Sequence, residues 1–323
     1  MYQPKRNFRH EFVPIRNLNY HVLVWGEPAA GTVPRVLVHG WMDVAASYQF
    51  MVDAFAHEQY VIAPDWRGYG LTGAAPSLLD PDATMGGQAD HGVRYLPEAD
   101  NYWFPDYLAD LDFLIDHYSP AAPVDLVGHS MGGNVAMMYA GARPARIRRL
   151  VNLEWFGMAA TRPSQAPGRF AKWMDELKAL HRGEMELKGY DSAAGVAQRL
   201  MKTNKRLGQD KADWLALHWA KPDASGQWRI LGDPAHKIIN AQLYRVDETL
   251  EIYKAIAAPT LAVESGDDNL TKWWQGKYSL AEYHERLQML PDVRTALVQD
   301  AGHMLHHDQP ERLAGLIDEF LGV

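Results

Sequence analysis

The sequence predicts an α/β fold: a mostly parallel sheet flanked by helices and interrupted once by a helical insertion. Three observations carry this. Short apolar runs alternate with amphipathic stretches over residues 1–155. The alternation stops after Trp155, and residues 162–250 read as mostly helical, with Trp173, Trp214, Trp219 and Trp228 spread through them. It then resumes near Thr260.

The elements follow in order. Residues 13–16 and 20–25 read as an opening strand pair joined by a turn. Residues 36–38 and 60–63 are apolar, as expected for strands buried on both faces. Residues 71–101 are rich in Pro, Gly, Asp and Ala without periodicity, so they form a loop, either a cover over an entrance or simple decoration. Leu108, Leu111, Leu114 and Ile115 recur at helical spacing within residues 106–118. A strand at 124–127, a helix at 135–142 and a strand at 150–153 come next. Beyond the insertion lie a strand at 260–263, a helix at 278–290, a strand at 295–298 and a closing helix at 311–321. The expected division is a core from 1 to 155, a helical cap from 156 to 254 and the rest of the core from 255 to 323.

Composition narrows the function. With 323 residues and 47% hydrophobic content, the chain builds one large core and a subsidiary lobe. A net charge of −8 argues against nucleic acid as a partner. With no cysteine there is no disulfide framework, thiolate nucleophile or cysteine zinc site. Residues 1–17 are charged, broken by Pro4 and Pro14, and lack an apolar signal core. No apolar stretch is long enough to cross a bilayer. The expectation is a cytoplasmic protein without membrane insertion, acting on a small molecule; self-association into a homo-oligomer is compatible with it.

The chemistry centres on Gly128-His129-Ser130-Met131-Gly132, a G-x-S-x-G pattern followed by Gly133. A nucleophile on a very tight strand-to-helix turn sits in a strained conformation, and its neighbours must lack side chains for the turn to close. The motif follows the apolar run 124–127 and precedes the helical run 135–140, as that turn requires. A glycine-rich turn with an incidental serine is the competing reading, and the context disfavours it.

Four segments extend the argument: His39-Gly40-Trp41, Asp65-Trp66-Arg67-Gly68-Tyr69-Gly70, the serine motif, and Ala301-Gly302-His303. In this order they resemble the signatures of the α/β-hydrolase superfamily, over essentially the whole chain outside the helical insertion. Within it, His39-Gly40-Trp41-Met42-Asp43 and residues 200–207 resemble the serine hydrolase-like, carboxylesterase branch. The resemblance implies the α/β-hydrolase fold, with the cap inserted after the sixth core strand and no cofactor.

It also implies roles. Ser130 becomes the nucleophile, and His303, between the last strand and the last helix, its base. Asp268 occupies the usual acid position, although Gly266 stands closer to the aspartates than is usual. Glu154, at the end of the sixth core strand, is the second candidate and Asp267 the third. The backbone amides of Met131 and Trp41 become the oxyanion donors, and His39 shapes the loop that carries one of them. The cap implies a pocket roofed by Trp155, Phe156 and at least one lobe tryptophan, with Trp41 and His129 also lining it. An arrangement of His306, His307 and Asp308 beside His303 invites a metal reading. A solvated turn capping the final helix explains them instead, and no metal is expected.

The leading expectation is therefore hydrolysis of carboxylic esters through an acyl-enzyme. Lactonase, thioesterase, carbon–carbon hydrolase and acyltransferase chemistry use the same triad, and a ligand receptor with little turnover would retain it.

Overall fold

The computed structural model describes residues 1–74, 99–267 and 269–322. Its central sheet contains β1 (Phe8–Ile15), β2 (Leu18–Trp25), β3 (Arg35–Val38), β4 (Val61–Pro64), the two-residue β5 (Gly73–Ala74), β6 (Val124–His129) and β7 (Ile147–Leu153). The long strands run β1-β2-β4-β3-β6-β7-β11-β12, with β11 at Thr260–Ser265 and β12 at Val293–Val298, while β5 pairs with β2. β1 and β2 pair antiparallel, as do β2 and β4; all other long neighbours are parallel. β3, β4 and β6 are buried throughout, which is why their sequences are runs rather than alternations.

Each face of the sheet carries its own core. On one side α2 (Phe104–Tyr118), α3 (Met131–Ala142), α7 (Val246–Lys254) and α9 (Leu280–Leu287) cover Val24, Val36, Leu126 and Leu150. On the other, α1 (Gln49–Ala54) and the closing α11 (Pro310–Leu321) cover Leu37, Val127 and Val151. The buried Arg35 ties β3 to the closing helix through its 2.8 Å bond to Asp318 on α11. The 24 residues 75–98, most of the aperiodic loop, lie outside the described residues.

Between β7 and β11 stand α4 (Ala166–His181), α5 (Ala193–Thr203) and α6 (Gln209–Trp219), followed by α7. Within this mostly helical lobe lies a small antiparallel sheet that the sequence reading did not include, β8 (Gly189–Tyr190), β9 (Ala220–Pro222) and β10 (Trp228–Ile230). Strands of two or three residues are too short to leave a periodic signal. α4 buries none of its residues, whereas α5 and α6 bury Val196, Leu200, Trp214 and Leu215 in the core over α1. Trp214 belongs to that packing, edge-on to Phe50 at 5.7 Å. Among the described residues no helix is long and apolar enough to cross a membrane.

Candidate active site

Ser130 stands between β6 and α3 at φ 51° and ψ −119°, a conformation that side-chain-bearing residues avoid. The surroundings enforce it. Ser130 N donates to Leu153 O at 2.9 Å, and Ser130 O accepts from Asn134 N at 3.1 Å. A Cβ at Gly128 would lie 2.4 Å from Gly132 O, and one at Gly132 only 2.1 Å from Val38 O. Neither site admits a side chain, so the turn closes only with glycine there.

The β3–α1 loop arrives beside the serine. A Cβ at Gly40 would stand 3.1 Å from Ser130 Cβ, so Gly40-Trp41 passes directly over the nucleophile. His39 fixes this loop: its Nδ1 donates to Gly40 O and its Nε2 accepts from Trp66 N at 2.9 Å. Burial pushes the His39 pKa down, which maintains the neutral ring these two bonds require. Met131 opens α3 immediately after Ser130. The Trp41 side chain is 52% exposed, and its Nε1–H donates to His236 O.

His303 lies in the turn after β12. Gly302 N donates to Asp308 at 2.8 Å, and the His303 carbonyl accepts from His129 Nε2 at 2.7 Å. Its Nδ1 meets Glu154 Oε2 at 3.3 Å. Glu154 is 1% exposed and, like Ser130, has a positive φ, of 54°. Its other oxygen accepts from Ser265 N at 2.5 Å, and Asn269 Nδ2 donates to Oε2 at 3.0 Å. A buried carboxylate needs such donors.

The three anticipated carboxylates therefore separate. Glu154 touches His303. Asp267 is held bidentately by Arg206 at 2.9 and 3.1 Å, which also keeps its pKa low. Asp268 lies outside the described residues.

Two cavities flank the serine. One, of about 290 Å³, is walled by Glu154, Trp155, Phe156, Trp273 and Trp274. The other, of about 210 Å³, has Trp41, His129, Trp219 and His303 among its walls. Trp155 and Phe156 thus line the first cavity and Trp41 and His129 the second, where Trp219 is a lobe tryptophan beside them. Trp273, on α8 (Asn269–Trp274), was not anticipated; its ring stands edge-on to His303 at 4.5 Å. The Trp-Trp pair following the candidate acids is the signal that points to it. Tyr278 OH donates to Phe156 O and Arg286 to Met158 O at 2.7 Å, fixing the chain that leaves β7 as a wall.

The expectation of a solvated turn at His306 and His307 is wrong. They lie on α10 (Leu305–Asp308), 0% and 3% exposed. The His306 ring packs on Tyr48 and the His307 ring on Phe50, so both rings are buried among aromatics rather than solvated.

Residues 36–310 match the family described as alpha/beta hydrolase fold. The chain belongs to that family, which places it among hydrolases. It is 24% identical over 302 residues to a serine hydrolase-like protein of Danio rerio, covering 92% of this chain and 83% of the relative. It is also 24% identical over 309 residues to a 3-hydroxybutyrate-oligomer hydrolase of Cupriavidus necator, covering 93% and 91%. Among solved structures, a thioesterase domain from the curacin biosynthetic pathway superposes with a TM-score of 0.75 at 21% identity, over 96% of this chain and 99% of that one. At that identity the superposition speaks for the fold.

Proposed function

We propose that the protein hydrolyses carboxylic esters of small to medium, largely apolar acids through an acyl-enzyme on Ser130, with His303 as base and Glu154 as the acid behind it. The contact between His303 Nδ1 and Glu154 Oε2 carries this reading. With Nδ1–H donated to the carboxylate, Nε2 presents its lone pair to take the serine proton.

Ser130 Oγ attacks the carbonyl carbon as His303 Nε2 accepts its proton. The oxyanion is received by the N–H groups of Met131 and Trp41. Collapse expels the alcohol, which takes the proton from His303. Water then attacks the acyl carbonyl with the same base, releasing the acid and restoring Ser130. The cavity walled by Trp155, Phe156 and Trp273 suits an apolar acyl chain. The name of the Cupriavidus relative gives it an oligomer of a hydroxy acid as substrate, which agrees with ester chemistry.

Rapid mixing with p-nitrophenyl acetate and butyrate, followed by mass spectrometry of the quenched protein, tests this reading. A burst of p-nitrophenol and a one-acyl mass increase on Ser130 are expected, both absent in Ser130→Ala. A folded wild-type protein that is never acylated overturns it.

A further inference from the structure

Beside His303 lies a group of ligating atoms that ester hydrolysis does not use. Asp43, His129 and His306 are 5%, 2% and 0% exposed. One ligand atom from each lies within 4.8 Å of the other two. Trp219 Nε1 donates to Asp43 Oδ1 at 3.1 Å, but Oδ2 is buried with no hydrogen-bond partner among the described residues. His129 Nε2–H is committed to the His303 carbonyl, so its Nδ1 carries a lone pair, and that atom too is buried and unpartnered among the described residues. Both ring nitrogens of His306 are in the same condition. Buried polar atoms are normally satisfied, so four in one place point to a bound species there.

The chemistry of these atoms is that of a cation site. One carboxylate oxygen and two neutral imidazole nitrogens suit a borderline divalent metal. An outer N–H given to a backbone carbonyl is how metal-bound histidines are oriented. Asp43 and His129 line the cavity that also contains Ser130 and His303, which supplies a route of entry and room for a further ligand.

We propose that Asp43, His129 and His306 bind a divalent transition-metal ion of the zinc type at the floor of the active-site cavity. Bond lengths of about 2.0–2.2 Å require the three ligand atoms to draw together on binding from their present separations, which lie within 4.8 Å. On the esterase reading, the bound cation also inhibits. His129 and His303 stand ring to ring at 4.7 Å, and a positive charge there opposes the imidazolium that both chemical steps require.

The test uses the full chain, stripped with a chelator and titrated with Zn²⁺ by calorimetry and with Co²⁺ by visible absorption. One equivalent should bind, and the Co²⁺ form should show the intense ligand-field bands of a four- or five-coordinate site. Asp43→Asn and His306→Gln should each weaken binding roughly a hundredfold or more. His307→Gln, in the same turn but outside the ligand set, should bind as the wild type does, which controls for damage to the turn. No stoichiometric binding, or only the weak bands of a six-coordinate ion in the wild type, overturns the proposal whatever the variants do. Binding that survives in both Asp43→Asn and His306→Gln overturns it equally. These readouts do not depend on turnover, so they stand apart from the fate of the esterase reading. Zinc inhibition of p-nitrophenyl ester hydrolysis should disappear with the site. Inhibition unchanged in both variants would put the ion on His303 itself and overturn the proposal.

Discussion

Glu154 and His303 meet at 3.3 Å although 149 residues separate them, because β7 and the turn after β12 both end at the same edge of the sheet. Glu154 does so from a left-handed backbone, with its oxygens held by Ser265 N and Asn269 Nδ2. The carboxylate is thus fixed before any substrate arrives, and it fixes His303 in turn.

Glu154→Gln should therefore lower kcat for p-nitrophenyl esters by about 10³–10⁴-fold with little change in KM, because an amide in that place no longer selects the Nδ1–H tautomer. Asp268→Asn should stay within a few-fold of wild type. Steady-state kinetics on the purified variants decide it. The reverse pattern would return the acid role to Asp268.

Asn269 is a positioning residue in this scheme. Its side-chain amide spans Glu154 Oε2 and Ser265 Oγ, both at 3.0 Å. Asn269→Ala removes one donor from a buried carboxylate, and one hydrogen bond to a charged group is worth about 1.5–3 kcal/mol. The expected result is a fall in kcat of roughly ten- to a hundredfold, with the basic-side pH profile unaltered and KM preserved. A change confined to KM would mean that Asn269 contacts substrate instead.

Much of this site was legible in the chain, for local reasons. Gly128 is required by Gly132 O, four residues on, so the elbow around Ser130 announces itself locally, whereas the constraint on Gly132 comes from Val38 O on β3. The acid does not, since the ends of β7 and β11 both offer carboxylates and only the three-dimensional meeting of Glu154 with His303 distinguishes one among the described residues. His306 and His307 misled for a related reason. A polar residue type suggests solvent, but α10 is pressed onto Tyr48 and Phe50, and the sequence carries no local trace of that contact.

The acyl cavity makes a prediction about substrate length. Trp273 is half exposed and forms one wall of the space beside Ser130. Trp273→Ala should extend that space and move the preference in kcat/KM towards longer acyl chains. Each additional buried methylene gains about 0.8 kcal/mol, or roughly fourfold. A series of p-nitrophenyl esters from acetate to octanoate reads the shift. An unchanged optimum would mean that the acyl chain lies in the cavity lined by Trp41 and Trp219.

Acid should destabilise the fold through His236. Its ring is stacked between Tyr69 and Tyr102, with centroids at 3.9 and 3.7 Å, and although part of the residue is exposed, Nε2 is shut off from solvent without a hydrogen-bond partner among the described residues. Burial pushes its pKa down to about 3, against 6.5 for a free imidazole. Between these values the unfolded chain binds a proton that the native state refuses, so stability rises with pH in that window and falls as pH drops below 6.5. From pH 7.5 to 5 the loss from this one group is about 2 kcal/mol. His236→Phe keeps the aromatic stack but cannot take up the proton. Urea denaturation from pH 7.5 to 5 should show a slope for wild type that is reduced by about one proton in the variant, and equal slopes would sink the assignment.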